Sequence, residues 1–132
     1  MAALHLEFVS PERVLFSGDV NQVDLPGTEG DMGILAGHAP LVTTLRPGIV
    51  TIFNGNDRVP VVVIGGLAEV GPAGLTVLAD KAVARQDFDM ALLASEIKDT
   101  EEDVADCTDD AERDKLSRHL EQLKSLQAAL AQ

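Results

Sequence analysis

The sequence contains no Trp or Tyr and only four Phe residues in a chain of 132. Proteins commonly bind bases and sugars by stacking them on aromatic side chains, so this scarcity argues against both ligand classes. The net charge of −12 argues further against nucleic acid, because an acidic protein repels a phosphate backbone. We therefore expect no nucleic acid among the partners.

Cysteine and long apolar runs are also scarce. Cys107 is alone, which excludes an internal disulfide and fits a reducing compartment, and we expect it to be an inert residue between helices. The longest apolar run, residues 59–68, is far shorter than the roughly 20 residues that span a bilayer. Residues 1–10 hold no Lys or Arg, so neither a signal nor a transit peptide is expected. Membrane association is expected only through a partner.

Patterns typical of catalysis or metal binding are nearly absent. His5, His38 and His119 fall in a predicted strand, a loop and a helix, so they form no clear ligand cluster. Glu29 and Asp31 form a carboxylate pair, for which a surface turn is favoured over general acid–base work. The residues therefore indicate a non-catalytic interaction protein, for which we expect no cofactor and no metal.

Residues 26–48 are rich in glycine and proline. Five glycines and three prolines in this stretch predict a specific loop path, with Glu29 and Asp31 at a tight turn facing outward. A phosphate-binding loop would need Gly-Lys-Ser/Thr before a helix, and there is no lysine between residues 14 and 80. A structured turn between strands is the favoured interpretation.

Residues 4–84 have the pattern of many short strands. Leu4, Leu6 and Phe8 alternate with their neighbours at a period of two. Turn signals, among them residues 54–57 and 71–74, separate further predicted strands at residues 13–25 (interrupted at 17–19), 41–45, 49–53, 58–64, 67–70 and 75–79. The apolar residues 61–64 are expected in a strand covered on both faces. These features predict a β-sandwich or barrel over residues 1–86.

From Asp87 onward glycine and proline vanish and the apolar period becomes helical. We expect Asp87 as the N-cap of a first helix, and a second helix that starts with a capping box of Asp109 and Glu112. The predicted buried faces are Met90, Leu93, Ile97 and Val104 in the first helix, and Leu116, Leu120, Leu123 and Leu130, with Leu126 beside them, in the second. The predicted fold is thus a β-sandwich N-terminal domain followed by a C-terminal antiparallel two-helix hairpin at residues 87–132.

Charge is segregated along the predicted hairpin. Residues 87–112 hold eleven acids and one base, whereas residues 113–132 hold two acids and four bases, namely Arg113, Lys115, Arg118 and Lys124. The basic second helix is suited either to docking on an acidic surface elsewhere or to lying against its own acidic sister helix. The sequence leaves both alternatives open.

Several motifs resemble the epsilon subunit of bacterial F-type (rotary) ATP synthases. They are Gly-Asp-Met-Gly-Ile-Leu-Ala-Gly-His-Ala-Pro-Leu at residues 30–41, Phe-Ser-Gly at 16–18, Arg-Pro-Gly at 46–48, Gly-Gly at 65–66 and Thr-Val-Leu-Ala-Asp at 76–80. The resemblance is collinear over essentially the whole chain and is most specific in residues 1–86. It implies the same architecture, a β-sandwich followed by a two-helix hairpin.

The resemblance also implies a function. Such a subunit is a non-catalytic rotor component of the central stalk, peripheral at the cytoplasmic face of the bacterial inner membrane. It helps to couple proton translocation to ATP synthesis. The resemblance assigns Ser10, His38 and Thr43 to contacts with the gamma subunit, and Glu29 and Asp31 to the basic polar loops of the c-ring.

In this family the hairpin is a regulatory switch that can inhibit ATP hydrolysis. Its basic last helix then contacts the beta subunit, and Arg113, Lys115, Arg118 and Lys124 match that basic character. Some relatives also bind ATP through Ile/Leu-Asp-x-x-Arg-Ala, which corresponds here to residues 88–93. Leu92 replaces the arginine, so the resemblance predicts weak or no ATP binding because the triphosphate lacks its charge partner.

The alternative hypothesis is a small β-sandwich binding module for an unrelated ligand, or a minor enzyme that uses Glu29 and Asp31. A deep apolar pocket beside these carboxylates would support this alternative, whereas an exposed convex turn would not.

Overall fold

A computed structural model describes residues 3–131 of the chain. The residues form two compact units, which divide between Asp87 and Phe88. The first unit is built from strands and the second from helices.

Within the described residues the first unit contains ten strands and one 3₁₀ turn, Arg85–Asp87. The strands are β1 Leu4–Val9, β2 Val14–Val20, β3 Gln22–Gly27, β4 Gly30–Leu35, β5 Leu41–Leu45, β6 Gly48–Asn54, β7 Asp57–Val63, β8 Gly66–Gly71, β9 Gly74–Ala79 and β10 Ala82–Ala84.

The strands join in one sheet in the order β10-β7-β6-β3-β5-β8-β9-β1-β2, and β4 pairs with β3 off this path. β1 and β9 run parallel, whereas the other pairs are antiparallel. The sheet folds over a single apolar core to which strands from both halves contribute, so the unit is the predicted β-sandwich. β10 and β2 lie at the ends of the path, so β2 is an edge strand.

The apolar patterns of the sequence account directly for strands β1 and β7. Leu4, Leu6 and Phe8 of β1 are buried, as the period of two predicts. In β7, Val61, Val62 and Val63 are all buried, which confirms for these three residues that the apolar run is covered on both faces, whereas Ile64 follows the strand and is half-buried.

Three strand predictions need correction. Residues 30–35 are not loop but strand β4, because they pair with β3 along its whole length and place buried Ile34 opposite Val23. Residues 17–19 do not interrupt the second extended segment, since each pairs with β1, and the break falls at Asn21 instead. The series does not close with β9, because the short strand β10 adds to β7. In each case cross-strand hydrogen bonds outweigh local turn propensity.

The second unit consists of helix α1, Met90–Asp106, and helix α2, Asp110–Leu130, in an antiparallel hairpin as predicted. The N-cap of α1 is Asp89 and not Asp87: an Oδ1 of Asp89 accepts hydrogen bonds from the backbone N–H of Ala91 at 2.9 Å and of Leu92 at 3.2 Å. Asp87 instead ends the 3₁₀ turn. Asp109 is the N-cap of α2, as predicted, and its side chain accepts from the N–H of Ala111 at 3.1 Å.

The buried faces of the helices are narrower than the sequence predicts. Leu93, Ile97 and Thr100 are buried in α1, whereas Met90 is 40 % exposed and does not belong to the buried face. The buried leucines of α2 are Leu123, Leu126 and Leu130, while Leu116 and Leu120 are only half-buried. Within residues 3–131, neither helix combines the length and apolarity that crossing a bilayer requires.

Candidate interaction surfaces

The β3–β4 hairpin carries the acidic turn. Gly27 and Gly30 are the last paired residues, so Thr28 and Glu29 form the apex of a two-residue connection. Thr28 ties this apex to β5, because its N–H donates to the carbonyl of Thr44 at 3.1 Å and the two hydroxyls lie 2.9 Å apart. Thr28 therefore links the turn to β5 as well as to its own hairpin.

Glu29 and Asp31 are both exposed, as the glycine pattern predicts, but their electrostatic surroundings differ. Asp31 accepts a hydrogen bond from the guanidinium of Arg46 and forms an ion pair with it. Glu29 has no ion-pair or hydrogen-bond partner among residues 3–131. Glu29 is therefore the uncompensated negative charge of the turn.

Arg46 is the residue that the sequence argument missed. Its guanidinium also donates to the carbonyl of Gly27, and its backbone N–H donates to the carbonyl of Pro26 at 3.0 Å. A signal for this role exists in the sequence, because Arg46 is the only Lys or Arg between residues 14 and 57. A lone cation that close to two acids is a natural counter-ion for one of them.

The structure places the three predicted gamma contacts at separate points of the sandwich. Ser10 lies in the β1–β2 turn, where its N–H and hydroxyl donate to the carbonyl of Arg13 at 2.9 and 3.4 Å. His38 is exposed in the segment before β5, with its Nδ1 2.7 Å from the carbonyl oxygen of Ala39. Thr43 is half-buried in β5 opposite Ala68 of β8. Within the described chain no hydrogen bond or ion pair joins any two of the three.

Two cavities in the first unit lie away from the acidic turn. One, of about 260 Å³, is lined by His5 and His38 among others, and one, of about 430 Å³, is lined by Ser10 and Lys81 among others. Neither Glu29 nor Asp31 lines either cavity, and no group of His, Cys, Asp or Glu in residues 3–131 has the geometry of a metal site. The alternative of a ligand-binding module built on these carboxylates gains no support.

The four cations of α2 differ in their partners. Arg113 is paired with Asp110 at 3.3 Å and donates to the carbonyl of Cys107, and Lys124 lies 3.6 Å from Glu101 of α1. Lys115 and Arg118 are exposed and have no ion-pair or hydrogen-bond partner in the described part of the chain. One cation therefore lies against the acidic sister helix, while two remain available to an external acidic surface.

His119 adds a second link between the helices, since its Nε2 lies 3.7 Å from Oε1 of Glu96. Cys107 is half-buried at the end of α1, and its thiol donates to the carbonyl of Asp109 at 3.4 Å. These contacts stabilise the connection between the two helices.

The segment that corresponds to the ATP motif forms the start of α1. Asp89 is the helix N-cap, so one oxygen of its carboxylate is already occupied by backbone donors. Leu92, at the position of the motif arginine, is 68 % exposed and offers no charge to a triphosphate. Weak or absent ATP binding remains a prediction.

Comparison with known proteins gives concordant results. The family model described as "ATP synthase, Delta/Epsilon chain, beta-sandwich domain" matches residues 3–85. The "ATP synthase epsilon chain 1" of Nitrobacter hamburgensis is 50 % identical over 130 residues, which are 98 % of this chain and 96 % of that one. The "ATP synthase epsilon chain" of a Bradyrhizobium species is 46 % identical with the same coverage.

A solved structure is similar over nearly the whole chain as well. It is a chain in the cryo-EM structure of the Euglena gracilis mitochondrial ATP synthase that contains OSCP, F1 and the c-ring. The TM-score is 0.82 at 28 % sequence identity, and the match covers 98 % of this chain and 82 % of that one.

Proposed function

Because the chain belongs to the family of ATP synthase epsilon chains, we propose that it is a rotor subunit that couples proton translocation to ATP synthesis. It is a non-catalytic subunit of the complex, and its site is the cytoplasmic face of the bacterial inner membrane, where it is peripheral. The observation that carries this proposal is the match to epsilon chains over 98 % of the sequence.

The acidic turn is the surface that meets the c-ring. Glu29 and Asp31 project from a hairpin that is fastened to β5, so a charge at its apex is held in a fixed position. Fixed acidic side chains suit basic loops, because opposite charges steer and orient two surfaces even when each pair contributes little energy. Since Arg46 already pairs with Asp31, Glu29 makes the larger electrostatic contribution.

Ser10, His38 and Thr43 are the contacts with the gamma subunit. They lie in the β1–β2 turn, in the segment before β5 and in β5 itself, so a partner that touches all three must extend over several elements of the sandwich. A broad and largely polar contact of this kind is typical of an interface between subunits and not of a small-ligand pocket.

The hairpin of residues 87–132 is the regulatory element and inhibits ATP hydrolysis. Lys115 and Arg118 contact an acidic segment of the beta subunit, because they are exposed and carry no partner within residues 3–131. A switch that moves almost fully between two states requires about 5.5 kcal/mol of differential binding. Two solvated cations supply only part of this free energy, so further contacts with the stalk contribute the rest.

Reconstitution of the catalytic complex with the gamma subunit tests the proposal. The full chain should co-purify with gamma and lower the rate of ATP hydrolysis, whereas a chain of residues 1–86 should co-purify equally well and no longer inhibit. Failure of the full chain to bind gamma would contradict the assignment as a rotor subunit. Failure of the truncated chain alone would contradict the assignment of assembly to residues 1–86 and regulation to residues 87–132.

A further inference from the structure

The outer face of β1 and β2 carries a chain of four polar side chains. His5 lies opposite Asp19 and Glu7 lies opposite Ser17 in the β1–β2 register. Nδ1 of His5 is 3.1 Å from Oδ1 of Asp19, and Nε2 of His5 is 2.9 Å from Oε1 of Glu7. The hydroxyl of Ser17 donates to the same Oε1 at 2.7 Å. The side chains thus connect in the order Asp19, His5, Glu7, Ser17 and cross twice between the strands.

The protonation state of His5 follows from this geometry. An ionised carboxylate can only accept hydrogen bonds, and a neutral imidazole has one donor and one acceptor nitrogen. A neutral His5 would therefore direct a lone pair at one of the two carboxylates. Only the imidazolium can donate to Asp19 and to Glu7 at once. We propose that a proton held on His5 fastens the edge strand β2 to β1, so that the attachment of β2 depends on pH.

The charged groups near His5 agree with this proposal. On β1 and β2 they are Glu7 and Asp19, and both hydrogen bonds raise the pKa of His5, that to Glu7 the more strongly. From β9, Gly74 and Thr76 adjoin β1 and bring no charge. His38 lines the same cavity as His5, from the segment before β5.

The attachment of β2 to β1 matters because β2 lies at the edge of the sheet. In the described chain β2 forms a strand ladder only with β1, because it lies at the end of the strand order. Strands of this kind open locally more easily than central strands. A side-chain link on the outer face therefore acts where the sheet has least backbone support.

The pH dependence has a definite sign. A group whose pKa is raised on folding contributes stability fully below its unfolded pKa, and that contribution is lost as the pH rises through the folded pKa. The link between β1 and β2 is therefore complete in mildly acidic solution and weakens as His5 loses its proton.

An NMR titration of the full-length protein tests the proposal. Long-range ¹H–¹⁵N spectra should show both ring nitrogens of His5 protonated up to a higher pH than in Glu7→Gln or in Asp19→Asn. Glu69→Gln is the matched control, because Glu69 is exposed on β8, two strands away, and does not touch His5. Equal titration of His5 in the wild type, Glu7→Gln and Asp19→Asn would overturn the proposal.

Hydrogen exchange provides the second measurement. Protection factors of the β2 amides, corrected for intrinsic exchange, should fall roughly two- to fivefold as pH rises through the His5 transition, the range expected for an exposed charged pair. The protection factors of the β6 and β7 amides should not change as the pH passes through the His5 transition. His5→Gln should lower β2 protection and remove its pH dependence. Protection of β2 that is independent of pH in the wild type would refute the link.

Discussion

Arg46 and Asp31 form an ion pair between the residue that follows β5 and the second residue of β4. The Arg46 side chain is 30 % exposed whereas that of Asp31 is 80 % exposed, so the pair joins an anchored cation to a solvated carboxylate. Arg46 also donates to the carbonyl of Gly27, next to the apex of the acidic turn. One side chain thus fixes the shape of the turn and reduces its charge.

Loss of Arg46 should destabilise the sandwich more than loss of its carboxylate partner. Arg46→Ala leaves the Gly27 carbonyl without its side-chain donor, which should lower the free energy of unfolding by about 1–2 kcal/mol. Asp31→Asn removes only an exposed charge pair and should cost about 0.5 kcal/mol or less. Urea unfolding of both variants measures the difference. Equal losses would show that the contact with Gly27 contributes nothing.

Charge reversal at Glu29 should weaken the attachment of the catalytic complex to the c-ring more than charge reversal elsewhere on the sandwich. We expect Glu29→Lys to lower the affinity roughly threefold or more at low salt, with a smaller effect at high salt because the contact is solvated. Glu69→Lys changes the net charge equally, but at an exposed position of β8 outside the acidic turn, and should have little effect. Similar losses in both variants would mean that net charge matters and that the turn does not.

Gly66 of strand β8 should tolerate substitution much less well than Gly71 at the other end of the same strand. It has a φ of +142°, and an added Cβ would lie 2.3 Å from the carbonyl oxygen of Leu78 on the neighbouring strand. Gly66→Ala should therefore cost about 2–3 kcal/mol or more, from backbone strain and steric overlap together. Gly71→Ala, whose Cβ would meet no atom within 4 Å, is the control and should cost about 1 kcal/mol or less. Thermal unfolding compares the two.

Sequence patterns identified the strands that depend on burial and missed two that depend on pairing, β4 and β10. Strands β1 and β7 are evident from apolar spacing, because their buried residues alone determine the pattern. Strand β4 is not, since its glycines suggest a loop and only the ladder with β3 makes it extended. The N-cap of α1 was predicted two residues too early for a similar reason. Asp87 and Asp89 have the same side chain, and only the 3₁₀ turn, which includes Asp87, leaves Asp89 as the residue that caps the helix.

The exposure of the acidic turn was predictable, but its charge balance was not. Asp31 and Arg46 are 15 residues apart, and His5 and Asp19 are 14 apart, so their contacts depend on strand register. Alternation alone does place His5 and Glu7 on one face of β1, which was an available signal for that cluster. Which carboxylate of the turn has a counter-ion could be established only from the folded chain.

The Ser17 hydroxyl should control the titration of Glu7. Donation from Ser17, followed by that from His5, lowers the pKa of Glu7 below its ordinary value. A carboxylate with a lowered pKa contributes stability above its unfolded pKa and loses it as the pH falls through the folded value. Ser17→Ala should therefore raise the pKa of Glu7 and make stability less sensitive to acid. Carboxyl ¹³C NMR measures the shift, and Ser10→Ala, whose hydroxyl contacts Arg13 instead, should leave Glu7 unchanged.

Inhibition of ATP hydrolysis should depend on the cations of α2 that have no partner within the described chain. Lys115→Glu and Arg118→Glu should each raise the hydrolysis rate of the reconstituted complex toward that of a complex without residues 87–132, because a like charge would then face the acidic segment that we propose as the partner on the beta subunit. Lys98→Glu is the matched control, since it reverses an exposed cation of α1. Lys124 is unsuitable for this comparison because its pair with Glu101 links the two helices, so its loss would alter the hairpin itself. If Lys98→Glu relieved inhibition as strongly as Arg118→Glu, added negative charge anywhere on the hairpin would be enough to relieve it. The proposed contact through α2 would then be wrong.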